Sequence, residues 1–241
     1  LVLTEDDMTS IARGIRQGRG IFDNLRKAMA YIIAVHVPIV GMSLVPLFVR
    51  DWPLVLLPVQ IALLELIIDP ACSVVFEAEQ VDPLIMDHPP RGIDEPMFGR
   101  PALPIAVLQG LSVLAAVIAV YLWSVSRGRP DEVVRSVTFA TLVLSNLSLI
   151  LVNRSWRLPV WRTFAQRRNP TLGWILGLAV GLLVLLLTVP GLRDAFGLGS
   201  IQPLEALVAV LATVVGVAWF EVWKVVRTTP ERGVMGRPEH E

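Results

Sequence analysis

Cysteine is almost absent from this sequence. Cys72 is the only one in 241 residues, which excludes an intrachain disulfide and any metal site built from several thiolates. Charge is scarce too, at 17% of residues, and it cancels, with 21 basic residues against 21 acidic ones. A chain with zero net charge carries no electrostatic footprint for nucleic acid, so no nucleic-acid partner is expected. The first residues also lack a signal-peptide pattern. What is abundant is apolar: 54% of residues are hydrophobic and the mean hydropathy is +0.63. A soluble domain seldom combines so little charge with so much Leu, Val, Ile and Ala, so the chain reads as a membrane protein surrounded by lipid.

A helix crosses the hydrocarbon core in roughly 20 apolar residues. Six stretches meet that length, at about 28–49, 54–76, 102–125, 134–153, 171–190 and 203–226. The expected fold class is therefore an all-α membrane protein, a six-transmembrane-helix bundle over 28–226. A short N-terminal strip, 1–27, precedes it and a tail, 227–241, follows. The first two stretches are separated only by Arg50-Asp-Trp-Pro53, which predicts a tight hairpin across the membrane. With the N-terminus inside and six crossings, 16 of the 21 Lys and Arg fall on the cytoplasmic side. Five (Arg50, Arg127, Arg129, Arg135, Arg193) fall outside. That asymmetry predicts a multi-pass protein with both ends cytoplasmic, and a bacterial cell membrane is the expected location. Gly173, Gly177 and Gly181, spaced i, i+4, i+8, predict a close helix approach in the fifth span. The chain opens on Leu1 and a polar run from Thr4 to Lys27, which reads as the tail of something longer; a fragment is expected.

The strongest chemical signal is Ile61-Ala-Leu-Leu-Glu65-Leu-Ile-Ile-Asp69-Pro70. On an α-helix Glu65 and Asp69 share one face, about 40° apart and roughly 6 Å along the axis. A charge at the bilayer centre costs about 2.5–3.5 kcal/mol even on the lenient insertion scale. Two like charges so close require a cation, a proton or a basic partner. The alternative is a protonated, hydrogen-bonded pair that only locks helix packing. Pro70 removes a backbone donor and can free carbonyls nearby, as broken helices do at cation sites. In the first span, His36-Val-Pro38 offers a histidine for metal, for a proton or for Glu65 and Asp69; the alternative is a satisfied packing residue. Pro38 there leaves the carbonyl of Ala34 without its helical donor. Ser145-Asn146 and Ser148 of the fourth span supply neutral oxygens either to such a site or to interhelical hydrogen bonds. The acidic run Glu77, Glu79, Asp82, Asp87, Asp94, Glu95 predicts a solvated loop face.

Three segments, in order, resemble one family. Gly18-Arg-Gly-Ile-Phe-Asp-Asn-Leu-Arg-Lys27 is similar to the junction between phosphorylation domain and fifth transmembrane helix in P-type cation-transporting ATPases of the calcium-pump type. Leu57-Pro-Val-Gln60, followed by a helix with Asp69, resembles their sixth helix. Pro83-Leu-Ile-Met-Asp87-His-Pro-Pro-Arg91 resembles the loop that follows it. The resemblance implies that Asp69 is a ligand of the transported cation. It places Glu65 and His36 on two asparagine-ligand positions, and Asn146 where an eighth-helix acid or amide contributes. The family's fifth-helix glutamate is Ile39 here, and the threonine before its aspartate is Ile68. Oxygen ligands are thus exchanged for an acid and an imidazole, which leaves calcium, manganese, another divalent ion and a proton open as cargo.

The family's Asp-Lys-Thr-Gly, Thr-Gly-Glu and Gly-Asp-Gly-x-Asn-Asp motifs are missing from this sequence. By the resemblance, ATP and Mg belong to upstream domains, and the chain does not hydrolyse ATP alone. The implied function is the C-terminal membrane part of a cation pump, with the rest of the pump, lipid and the cation as partners. The alternatives are a stand-alone ion- or proton-coupled carrier and a non-catalytic membrane subunit or remnant.

Overall fold

From Met8 to Phe48 the chain forms one α-helix, α1, of 41 residues. At 1.5 Å per residue that is roughly 60 Å, about twice the hydrocarbon thickness of a bilayer. Its polar first half therefore stands clear of the apolar layer as a stalk. The computed structural model describes residues 8–48, 54–87, 89, 92, 102–166 and 169–228. After α1 come α2 (Pro58–Pro70), which runs into a π-helical turn (Ala71–Val75), and a 3-10 turn (Pro83–Met86). Then follow α3 (Ala102–Ser126), α4 (Asp131–Asn153), a short α5 (Val160–Gln166), α6 (Pro170–Thr188), a short α7 (Pro190–Ala195) and α8 (Pro203–Thr228). Six of these are long and apolar enough to cross a membrane: α1, α2 with its π turn, α3, α4, α6 and α8. The protein is an all-helical, multi-pass membrane protein. The predicted hairpin tip, Arg50 to Pro53, lies outside the described residues.

Local chemistry sets the boundaries. The second span is non-helical over 54–57 and turns helical only at Pro58. Proline disfavours the helical conformation in the residue before it but fits a first turn. Pro70 lacks the N–H that would continue the α-helical ladder, and there the helix widens into the π turn. The Ser73 hydroxyl donates to the Asp69 carbonyl at 2.9 Å and satisfies part of the opened backbone. At the end of α3, Gly128 adopts φ +64°. Its N–H bonds the Val125 carbonyl (2.9 Å) and that of Arg129 bonds the Ser124 carbonyl (3.4 Å), a Schellman stop that a left-handed residue makes possible. Asn169 caps α6 by accepting from the Leu172 N–H at 3.2 Å, with Pro170 next.

Helix α4 is the centre of the bundle. Its apolar window is 83% buried, against 22% for those of α6 and α8, and it packs against α1, α3, α6 and α8. The glycines that allow close approach are not the predicted ones. A methyl at Gly173, Gly177 or Gly181 would meet nothing within 4 Å. All three are exposed, beside Trp174 and Leu178, so that stripe packs nothing among the described residues. The close contact is on α3, where a methyl at Gly110 would sit 2.6 Å from the Val37 β-carbon and 2.7 Å from the Ala34 carbonyl oxygen.

The acidic run is also corrected in part. Glu79 is buried, and its carboxylate takes Arg154 Nε at 2.7 Å and Nη2 at 3.3 Å. Asn169 Nδ2 donates to the same carboxylate (3.3 Å) and to the Val75 carbonyl (3.1 Å). Asn24 of α1 donates to the Glu79 carbonyl at 2.9 Å, and Arg19 to that of Ile85 at 3.1 Å. The stalk is thereby tied to the segment after α2, to the end of α4 and to the start of α6. Glu77, Asp82 and Asp87 are at least partly exposed, while Asp94 and Glu95 lie outside the described residues. At the opposite end of the bundle, buried Glu205 accepts from the Gln202 N–H (2.7 Å) and pairs with Arg129 Nε (2.7 Å).

A candidate cation site between two helices

Helix α2 turns Leu64, Ile67 and Ile68 into the bundle. The same periodicity carries Glu65, Leu66 and Asp69 to its other face, where Leu66 is 65% exposed. The two carboxylates thus share a face, as the four-residue spacing requires. Glu65 lies eight residues into α2, deep in the span. Its Oε1 stands 3.7 Å from Nε2 of His36 on α1, with the side chains 36% and 44% exposed. The pair is brought together across two helices yet remains open on one side.

His36 is held by its own helix, since Nδ1 is 2.8 Å from the Ile32 carbonyl oxygen. Two residues on, Pro38 withholds a donor from the Ala34 carbonyl, and Gly110 of α3 fills the space against that oxygen. Asp69 is exposed, and its carboxylate has no hydrogen bond or ion pair among the described residues. Asn146, in contrast, is buried in α4 with neither amide atom hydrogen-bonded. An unsatisfied amide in a dry interior costs about 1–3 kcal/mol, and Asn146 bears that cost among the described residues. Ser145 is spent on packing: its hydroxyl lies 3.3 Å from that of Thr213 on α8. Ser148 faces an apolar groove between α4 and α8 with Val217 and Glu221. Cys72 is half-buried, its Sγ 3.9 Å from the Ala28 carbonyl oxygen.

Among the described residues no three His, Cys, Asp or Glu side chains converge tightly enough to hold a metal ion. The structure therefore joins His36 to Glu65 and leaves Asp69 and Asn146 as separate, unpartnered oxygen donors. Sequence reasoning missed Gln109 of α3. It is buried, accepts from Asn153 Nδ2 at 3.1 Å and has its own Nε2 unpartnered. The Gln109-Gly110 pair interrupting an apolar run was the available signal.

Residues 53–226 match the family model described as cation transporting ATPase, C-terminus. A calcium-transporting ATPase of Bacillus subtilis is 30% identical over 211 residues, covering 84% of this chain and 23% of that protein. One from Listeria monocytogenes is 25% identical over 240 residues, 94% of this chain and 25% of its own length. The sodium/potassium-transporting ATPase subunit alpha of Drosophila melanogaster is 38% identical over 93 residues, 38% of this chain and 9% of that protein. The chain thus spans about a quarter of the length of the two bacterial relatives. With its six apolar helices and a family match over most of its length, the chain belongs to the cation-transporting ATPase C-terminal family and is the C-terminal membrane part of a cation pump.

Proposed function

We propose that His36, Glu65, Asp69 and Asn146 supply part of the intramembrane cation-binding site of an ATP-driven pump, and that α1 couples this site to phosphorylation. The observation that carries it is the His36–Glu65 pair, 3.7 Å apart and deep within two apolar spans. A half-exposed carboxylate there would face lipid unless protein or water covered it, at a cost of about 2.5–3.5 kcal/mol. Further helices of a pump, carrying ligands of their own, provide that cover and complete the coordination. The relatives named as calcium-transporting support a divalent ion as cargo. ATP and Mg would be bound by other domains of the pump.

Because α1 is one helix from Met8 through His36, a displacement of its stalk moves His36 relative to Glu65. Phosphorylation in the pump's upstream domain, transmitted through the stalk, and ion binding at the pair would then bias the same two-state element, as linkage demands. The excess of basic residues on one side supports a topology with both ends of the chain in the cytoplasm. The test is Asp69→Asn in the full-length pump, reading ion-dependent dephosphorylation and transport in native membranes. Both are expected to be lost with expression nearly unchanged; a wild-type ion response in the variant removes Asp69 from the site.

A further inference from the structure

We infer that this site prefers a first-row divalent transition-metal ion to calcium, because the fold aims an imidazole lone pair into it. The inference rests on the proposal that His36 and Glu65 ligate the cargo, and it deepens that proposal by naming the ion class. The tautomer is legible from the geometry. Nδ1 of His36 lies 2.8 Å from the carbonyl oxygen of Ile32, and a carbonyl can only accept, so Nδ1 carries the hydrogen. In the neutral ring Nε2 then holds the lone pair, and Nε2 is the atom that faces Glu65 Oε1 at 3.7 Å. A carboxylate oxygen is likewise an acceptor. Two acceptors facing each other at that separation make no hydrogen bond.

A metal ion satisfies both. Two bonds of about 2.1 Å span as much as about 4.2 Å, so the 3.7 Å between Nε2 and Oε1 is within the reach of one bridging ion. The backbone carbonyl of Ile32 acts as the outer partner that fixes ring orientation and raises the basicity of the ligating nitrogen. Calcium gains little from this arrangement, because it is a hard ion that collects six to eight oxygens. Imidazole nitrogen with carboxylate oxygen suits first-row divalent ions instead. Asp69 and Asn146 remain available as oxygen donors, which such ions accept as well.

Manganese(II) is the probe, since its electron spin reports a bound nitrogen directly. In the full-length pump, ATP hydrolysis is titrated with manganese(II) and with calcium(II), for wild type, His36→Asn, His36→Gln and Asp69→Asn. Wild type is expected to half-activate at a lower concentration of manganese than of calcium, as nitrogen ligation favours the first-row ion. Either amide variant should erase that preference. Pulsed electron paramagnetic resonance of the manganese-loaded wild type should show nitrogen-14 modulation that is absent from both His36 variants. Calcium preference in the wild type, an unchanged ratio in the His36 variants, or a nitrogen-free spectrum overturns the inference. If Asp69→Asn is inactive while the ratio ignores His36, only the ion class falls. If Asp69→Asn responds like wild type, the site itself falls, and the ion class with it.

Discussion

Arg154 closes on Glu79 through two nitrogens, at 2.7 and 3.3 Å, with the two side chains only 1% and 0% exposed. The guanidinium also lies 5.5 Å from the centre of the Phe164 ring. One residue thus joins the end of α4 and the α5 segment to the chain leaving α2. Through Glu79 the connection extends to Asn169 at the start of α6 and, by the backbone, to Asn24 on the stalk. A buried pair of this kind is costly to break because the survivor keeps its charge without a counterion.

Replacing Arg154 with Gln should therefore destabilise the bundle by about 3–5 kcal/mol, the usual cost of orphaning a buried charge. Adding Glu79→Gln should recover part of the loss, since neither side chain is then ionic. Denaturation of the detergent-solubilised protein, read as a double-mutant cycle, measures both. Equal and additive losses would mean that the two residues do not act as a pair.

Gly110 and Gly173 make a matched contrast. At Gly110 a methyl would press on the Ala34 carbonyl oxygen at 2.7 Å and on Val37 at 2.6 Å, whereas at Gly173 it meets open space. Gly110→Ala should cost about 1–3 kcal/mol, as overpacking does. Gly173→Ala should be neutral or stabilising by up to about 1 kcal/mol, through helix propensity alone. Thermal unfolding of the two variants side by side gives the answer, and the reverse order would refute the packing.

Asn146 separates stability from function. Its amide is buried and unpartnered, so Asn146→Leu removes an unsatisfied group and should stabilise the cation-free bundle by about 1–3 kcal/mol. If Asn146 ligates the cargo, the same variant should weaken cation activation of the full-length pump. Measuring unfolding in chelator and cation dependence of ATP hydrolysis on one preparation tests both halves. A variant that is stabilised and activates normally would confine Asn146 to packing.

Glu205 at the start of α8 has two duties that can be told apart. One oxygen accepts from the Gln202 N–H and the other pairs with Arg129, each at 2.7 Å. Glu205→Gln keeps an acceptor for the helix cap, whereas Glu205→Ala keeps nothing. The alanine variant should be the less stable of the two by about 1 kcal/mol, the value of a helix cap. Indistinguishable unfolding curves would show that the cap contributes nothing.

The six crossings were legible from composition, because a span needs only a run of apolar residues as long as the bilayer is thick, and that is a property summed along the chain. The shared face of Glu65 and Asp69 was legible for the same reason, being fixed by helical periodicity and spacing of four. The helix break at Pro70 likewise follows from a missing donor. None of these depends on which helix lies opposite.

Burial and partnership do depend on it, and there the linear pattern misled. Glu79 sits in an acidic, loop-like run and is nevertheless buried, because Arg154, seventy-five positions away, arrives to meet it. Gly173, Gly177 and Gly181 have the spacing of a packing stripe, but the packing of α6 turns them outward. The close approach fell instead to Gly110, opposite a carbonyl that Pro38 had already released. His36 had a known position in its helix from the start. Its meeting with Glu65 required α1 and α2 to come together at one register, which side-chain packing between helices sets and hydropathy along one helix does not.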